Sequence, residues 1–171
     1  MGKRFIFLLV FLCLFLVVNQ SKAEEVLIME LTSSEFGNNS AIPLKFTCQG
    51  ESVNPPLDIE QIPENTQSLA LIVDDPDAPG GTFVHWVVYD LPVNRRIEQA
   101  SVPGTQGSND GGGVSYVGPC PPSGTHRYFF KIYALDTVLN LDEGISKSSL
   151  ESAMRGHILA QAELVGLYKK S

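Results

Sequence analysis

Three short stretches of this chain are apolar at nearly every position, whichever way they are turned. They are Leu69-Ala70-Leu71-Ile72-Val73, residues 83–89 and residues 128–135. Successive residues of a strand face opposite sides of a sheet, so a run apolar at both parities must be covered on both sides. That demand leaves two architectures: a sandwich, or a sheet flanked by helices. Proline- and glycine-rich turns separate the runs, and no internal repeat stands out.

The remaining elements are read around these three strands. Residues 26–31 form a short apolar strand, and Leu44-Lys45-Phe46-Thr47-Cys48 alternates and reads as another. Asn54-Pro55-Pro56 makes a turn, and residues 162–168 a final strand. One helix is predicted over residues 149–160, opened by a capping box of Ser148 and Glu151. Leu150, Met154, His157 and Ile158 follow helical spacing there, which puts His157 near the apolar face, read as a core histidine bonded to backbone, with a supporting role beside the pocket as the alternative. Residues 103–118, with Gly111-Gly112-Gly113, form a long loop of the kind that carries function or is simply flexible.

Lys3 and Arg4 precede an apolar run over residues 5–18 and a short polar stretch ending in Ala23. This is the layout of a secretory signal peptide over residues 1–23, cleaved after Ala23, and it predicts a periplasmic or secreted protein. Residues 24–171 are then one domain of ordinary size. Losing Lys3, Arg4 and Lys22 moves the net charge from −7 to −10. A chain so acidic is not expected to bind nucleic acid, and any anion must be held by a local site against the overall field. Cleavage leaves Cys48 and Cys120, an even pair in an oxidising compartment, so a disulfide is favoured over two buried thiols.

Two segments gather the groups that can do chemistry. The first runs Asp75-Pro76-Asp77-Ala78-Pro79 and leads to His85-Trp86; the second runs Gly118-Pro119-Cys120-Pro121-Pro122 and leads to His126-Arg127-Tyr128. Strand parity puts His126 and Tyr128 on one face and Arg127 on the other. An imidazole beside a phenol can donate two hydrogen bonds to an anionic oxygen. Gly118, lacking a side chain, can bring a backbone N–H to the same oxygen. Arg127 is expected to pair with an aspartate and fix a loop. Asp75 and Asp77 stand at the end of a buried strand, and both also suit turn positions bonded to their own backbone, Asp77 above all. Pro76 and Pro79 stiffen that turn, and either peptide bond could be cis.

Enzymatic readings find little support. There is no G-x-S-x-G nucleophile elbow. A thiol enzyme would need Cys120 free of any disulfide. The histidines lack metal-ligand spacing, which leaves a metal-assisted hydrolase as the weakest class. No catalytic residue, metal or cofactor is expected. Capture of an anion requires only donors on a rigid floor.

These ordered motifs resemble the phosphatidylethanolamine-binding protein family, and more narrowly its bacterial Raf-kinase-inhibitor-like branch. Residues 46–51, Asn54-Pro55-Pro56-Leu57 and the tail over residues 156–168 carry the resemblance along the whole mature chain. It implies a mostly β fold: a central sheet packed on a smaller second sheet, with a few peripheral helices including one near the C-terminus. It implies a pocket for phosphate or a phospholipid head group, built from Asp75, His85, Gly118, His126 and Tyr128 and shaped by Asp77, Pro79, Trp86, Pro119 and Arg127. Glu60 stands where the branch often has tryptophan, and the loop at residues 111–117 is looser than usual. The expected function is an exported, non-enzymatic binding protein with a small anion as partner. The alternative is a protein-interaction module that inhibits a kinase or protease. Oligomeric state is left open, a homodimer included.

Overall fold

A computed structural model describes residues 28–171. The predicted signal peptide, its cleavage point and the first residues of the strand read at 26–31 lie outside the described residues. Nine strands and one helix follow in the order β1 (Glu30–Thr32), β2 (Ser40–Ala41), β3 (Leu57–Glu60), β4 (Ser68–Asp75), β5 (Phe83–Leu91), β6 (Arg96–Ile97), β7 (Thr105–Gln106), β8 (Thr125–Leu135), α1 (Lys147–Ala153) and β9 (Ile158–Lys169). Six strands form one sheet in the order β2-β9-β8-β4-β5-β7, and β1-β3-β6 form a smaller one. The architecture is the mostly β, two-sheet fold that the motifs imply, with a single helix among the described residues.

The apolar runs are the centre of the large sheet. All eight residues of β4 are buried, between antiparallel partners β5 and β8. Leu69, Leu71 and Val73 face the core shared with the small sheet, together with Leu57, Ile59, Phe130 and Ile132. Ala70 and Ile72 face the other way, into a second cluster closed by Leu150 and Met154 at the helix. Two-sided burial thus has two causes: a sheet on one side and a helix on the other.

The same alternation separates two adjacent aspartates. Asp74 follows Ile72 toward the helix, where its buried carboxylate takes Lys131 Nζ at 2.9 Å and Lys147 Nζ at 2.5 Å. Asp75 follows Val73 toward the opposite face. Sequence reasoning passed over Asp74, whose partners come from two distant elements.

Several local expectations are corrected. Residues 44–46 form a 3-10 turn rather than a strand, started by Pro43 and closed by Thr47 N–H and Oγ1 on Leu44 O. Gly50 lies against that turn: a Cβ there would sit 2.2 Å from Leu44 O, so the turn can tighten only over glycine. The helix is shorter than its apolar spacing suggests. Ser146, not Ser148, caps it by accepting from Ser149 N–H, and it stops after Ala153. Gly156 then adopts φ +82°, and Ile158 already pairs with Leu135. Pairing along β8 overrides the helical pattern of residues 158–160. His157 therefore lies exposed on a turn, with Nδ1 2.8 Å from Asp136 Oδ1, and is no core histidine. All peptide bonds of the described residues are trans, those before Pro76 and Pro79 included.

The long loop after residue 103 is tied rather than loose. It begins with β7 on the edge of β5. Asn109 organises the glycines: its Oδ1 accepts from Gly111 and Gly113 N–H, and its Nδ2 donates to Ser115 O. The loop returns through Val117 N–H to His85 O, which delivers residues 117–122 to the end of the sheet.

Candidate functional site

At that end a cavity of about 240 Å3 opens between β4, β5, β8 and the 117–122 segment. Asp75, His85, Gly118, His126 and Tyr128 all line it, with Pro79, Phe83, Val117, Pro121 and Pro122. A larger trough of about 400 Å3 over Lys131, Tyr133, Gln161 and Glu163 lies on the β8–β9 surface and contains none of these groups. The two segments singled out in the sequence therefore meet, although about 40 residues separate them.

Each wall group is placed by its strand. Residues 126 and 128 alternate inward along β8, both buried, while Arg127 points out. Asp75 ends β4 and uses both carboxylate oxygens. One accepts Asp77 N–H at 2.8 Å, and the other lies 2.7 Å from His126 Nδ1. His126 donates through Nδ1 to this carboxylate, and its Nε2 has no protein partner among the described residues. Asp77 does not reach the cavity. It clamps Arg127 through two side-chain contacts of 2.9 and 2.7 Å and accepts the Arg127 N–H. The guanidinium holds the Asp77 carboxyl down at about 2, from 3.8. This clamp joins the proline turn to the start of β8, where His126 sits.

His85 is positioned by a break in pairing. Val73 faces Trp86 and Asp74 faces Val84, so His85 is the extra residue of a bulge in β5. Such a bulge re-aims a side chain at a sheet end. The ring packs at 4.9 Å from Phe83 and edge-on at 5.2 Å from Tyr128. Its Nδ1 lies 2.6 Å from Val117 O, which fixes Nδ1–H as donor and leaves Nε2 as a lone pair when neutral. Burial pushes its pKa below the ordinary 6.5, against the hydrogen bond to Val117 and the nearby carboxylates, which pull it up.

The Tyr128 hydroxyl is the one fully buried side-chain nitrogen or oxygen among the described residues with no hydrogen-bond partner. Burial, with the Asp75 charge beside it, raises the phenol's pKa, so the group is a neutral donor. A buried hydroxyl left unpaired costs free energy. Here it lies in the wall of a cavity beside two imidazoles.

Three expected contributors act otherwise than the sequence suggests. Gly118 lines the cavity, but its N–H is given to Ser52 Oγ at 3.0 Å and is not offered inward. Glycine is needed there for close approach: a Cβ would lie 2.7 Å from Ser52 Oγ and 2.9 Å from Phe46 O. Trp86 faces the core, donating to Gln106 Oε1 and packing edge-on to Tyr116. Pro119 acts through its carbonyl, which accepts Cys48 N–H. Cys48 and Cys120 are joined as a disulfide, Cα–Cα 5.4 Å, and Cys120 lines the cavity. Sequence reasoning also missed Phe83 and Val117, whose apolar character carries no chemical signal by itself. Among the described residues no group of three or more His, Cys, Asp or Glu side chains is arranged to hold a metal.

The cavity is mostly apolar, with two imidazole Nε2 positions and one phenol hydroxyl among its lining groups. A family model described as Phosphatidylethanolamine-binding protein matches residues 32–169. A UPF0098 protein of Pyrococcus horikoshii is 50% identical over 149 residues, 81% of this chain and 75% of the relative. A UPF0098 protein of Methanothermobacter thermautotrophicus is 46% identical over 150 residues, 83% of this chain and 99% of that one. Among solved structures, a phosphatidylethanolamine-binding protein homologue of Chlamydia trachomatis superposes with a TM-score of 0.82 at 43% identity, covering 85% of this chain and 99% of its own. YbcL of E. coli, described as a member of the mammalian PEBP family, gives 0.77 at 28% identity, covering 84% and 99%.

Proposed function

The chain belongs to the phosphatidylethanolamine-binding protein family, and from that premise we propose that it is a non-enzymatic binding protein for a phosphoryl-type anion. The ligand oxygens sit against His85 Nε2, His126 Nε2 and the Tyr128 hydroxyl. The single observation that carries the reading is the unpaired buried Tyr128 hydroxyl in a cavity lined by two histidines. Each histidine already spends Nδ1 on a fixed acceptor. The apolar rim of Pro79, Phe83, Pro121 and Pro122 suits the carbon skeleton next to such a head group. On the sequence of residues 1–23 we place the protein in the periplasm or outside the cell.

An anion is held best when both Nε2 atoms carry protons. Affinity therefore rises as pH falls, and the His85 share of that rise comes below the ordinary 6.5, because burial lowers its pKa. Titration calorimetry with inorganic phosphate, and separately with glycerophosphoethanolamine, between pH 5.5 and 8 tests this. Tighter binding of the ester identifies a lipid head group; equal binding identifies a general phosphoryl site. Affinity independent of pH for both, or no binding, rejects the reading.

A further inference from the structure

We propose that the Cys48–Cys120 disulfide is a redox latch on this pocket: its reduction by a dithiol frees one wall and lowers affinity for the anion. The inference rests on the binding reading above and adds a control to it.

The wall over residues 119–122 has few hydrogen bonds to hold it, and besides the burial of Pro119 and Pro121 it depends on the disulfide. Three of its four residues are proline and have no N–H to donate. Among the described residues, the hydrogen bonds that reach residues 119–124 reduce to one, Cys48 N–H on Pro119 O at 3.1 Å. The disulfide is the one covalent tie, and it bridges 72 residues of sequence.

The anchor at the other end is firm. Phe46 and Thr47 are fully buried. The turn around them is closed by Phe46 N–H on Pro43 O, Thr47 N–H on Leu44 O and Gly50 N–H on Thr47 O. The disulfide therefore ties a buried turn to a segment with almost no hydrogen bonds of its own.

The groups that receive the anion do not depend on the latch. His85, His126 and Tyr128 are carried by the large sheet, and Gly118 stays tied through Ser52 Oγ. Cutting the bond opens the Cys120-Pro121-Pro122 wall and leaves the floor standing. Both cysteines are exposed, so a reductant can reach the sulfurs.

The step is a thiol–disulfide exchange. A thiolate of the dithiol attacks one sulfur and displaces the other cysteine as thiolate, giving a mixed disulfide. The second thiol of the reductant displaces the first cysteine in turn. Two electrons and two protons pass to Cys48 and Cys120, and the dithiol leaves as its own disulfide.

Apparent affinity scales with the fraction of molecules whose wall is in place. A wall in place one-tenth of the time lowers affinity about tenfold. Coupling is reciprocal, so bound anion must protect the disulfide by the same factor.

The test compares oxidised and dithiothreitol-reduced protein, and Cys120→Ser, by calorimetry with inorganic phosphate and with glycerophosphoethanolamine. Near-ultraviolet circular dichroism around Trp86 reports whether the sheet core persists. In the oxidised protein, the dithiol ratio that half-reduces the bond is read with and without saturating anion. The expected result is an intact Trp86 signal, about tenfold weaker binding on reduction, and about a tenfold rise in that ratio with anion. Equal affinity in both redox forms overturns the latch and leaves the binding reading intact. Loss of the Trp86 signal on reduction overturns it too, since the bond is then a staple of the fold. No binding by the oxidised form overturns the binding reading and the latch with it.

Discussion

Replacing Tyr128 by phenylalanine pulls stability and binding in opposite directions. The side chain is 1% exposed, and its hydroxyl has no hydrogen-bond partner. In the free protein that oxygen has no hydrogen bond within normal geometry to offset its desolvation, on the order of 1–3 kcal/mol for an unpaired buried group, and only the nearby Asp75 carboxylate attracts its proton. The ring, which packs edge-on to His85, is kept by phenylalanine. Tyr128→Phe should therefore stabilise the free protein by about 1 kcal/mol, or raise Tm by about 3 °C for a chain of this size. If the hydroxyl donates to a bound anion, its loss should cost binding about 1.5–3 kcal/mol, the range for hydrogen bonds to charged groups. That is roughly a ten- to hundredfold weaker affinity. Thermal unfolding gives the first number and calorimetry with phosphate the second. Destabilisation by more than about 1 kcal/mol would mean that the hydroxyl is paired in the free protein. Unchanged affinity would mean that the ligand does not reach it. Either result refutes the reasoning.

Gly118→Ala should destabilise by about 1–3 kcal/mol in urea unfolding, because its Cβ meets the Phe46 and Thr47 backbone at 2.9 Å and neither can move freely. His85 has a folded pKa below its unfolded value of about 6.5, so its contribution to stability is present above 6.5 and is lost as pH falls through the lower folded value. His85→Gln should flatten the stability profile in that acid window, and a profile unchanged by the substitution would contradict the buried neutral ring. Asp77, held at about 2, adds stability above pH 3.8 that disappears between 3.8 and 2. With the Arg127 side chain 53% exposed, Asp77→Asn should cost no more than about 1 kcal/mol near neutrality and remove that acid window.

The sequence by itself determined what depends on short periods. Three runs apolar at both parities required a sheet covered on both faces, and they became β4, β5 and β8. Parity along β8 set His126 and Tyr128 on one face and Arg127 on the other. The cysteine pair was legible from its count, and the ordered motifs pointed to the family.

Only the tertiary structure decided where distant partners meet. Helical spacing at residues 149–160 failed beyond Ala153, since hydrogen bonds along β8 stabilise residues 158–160 more than one further turn of helix could. A bulge aims His85, and a bulge exists only relative to the partner strand. The Gly118 N–H belongs to Ser52, which is 66 residues away. Asp74 and Asp75 are chemically identical neighbours in the chain. Strand pleating sends one to two lysines and the other to a histidine in a cavity. Local pattern sets which way a side chain points; what it then touches depends on strand pairings that no short window of sequence contains.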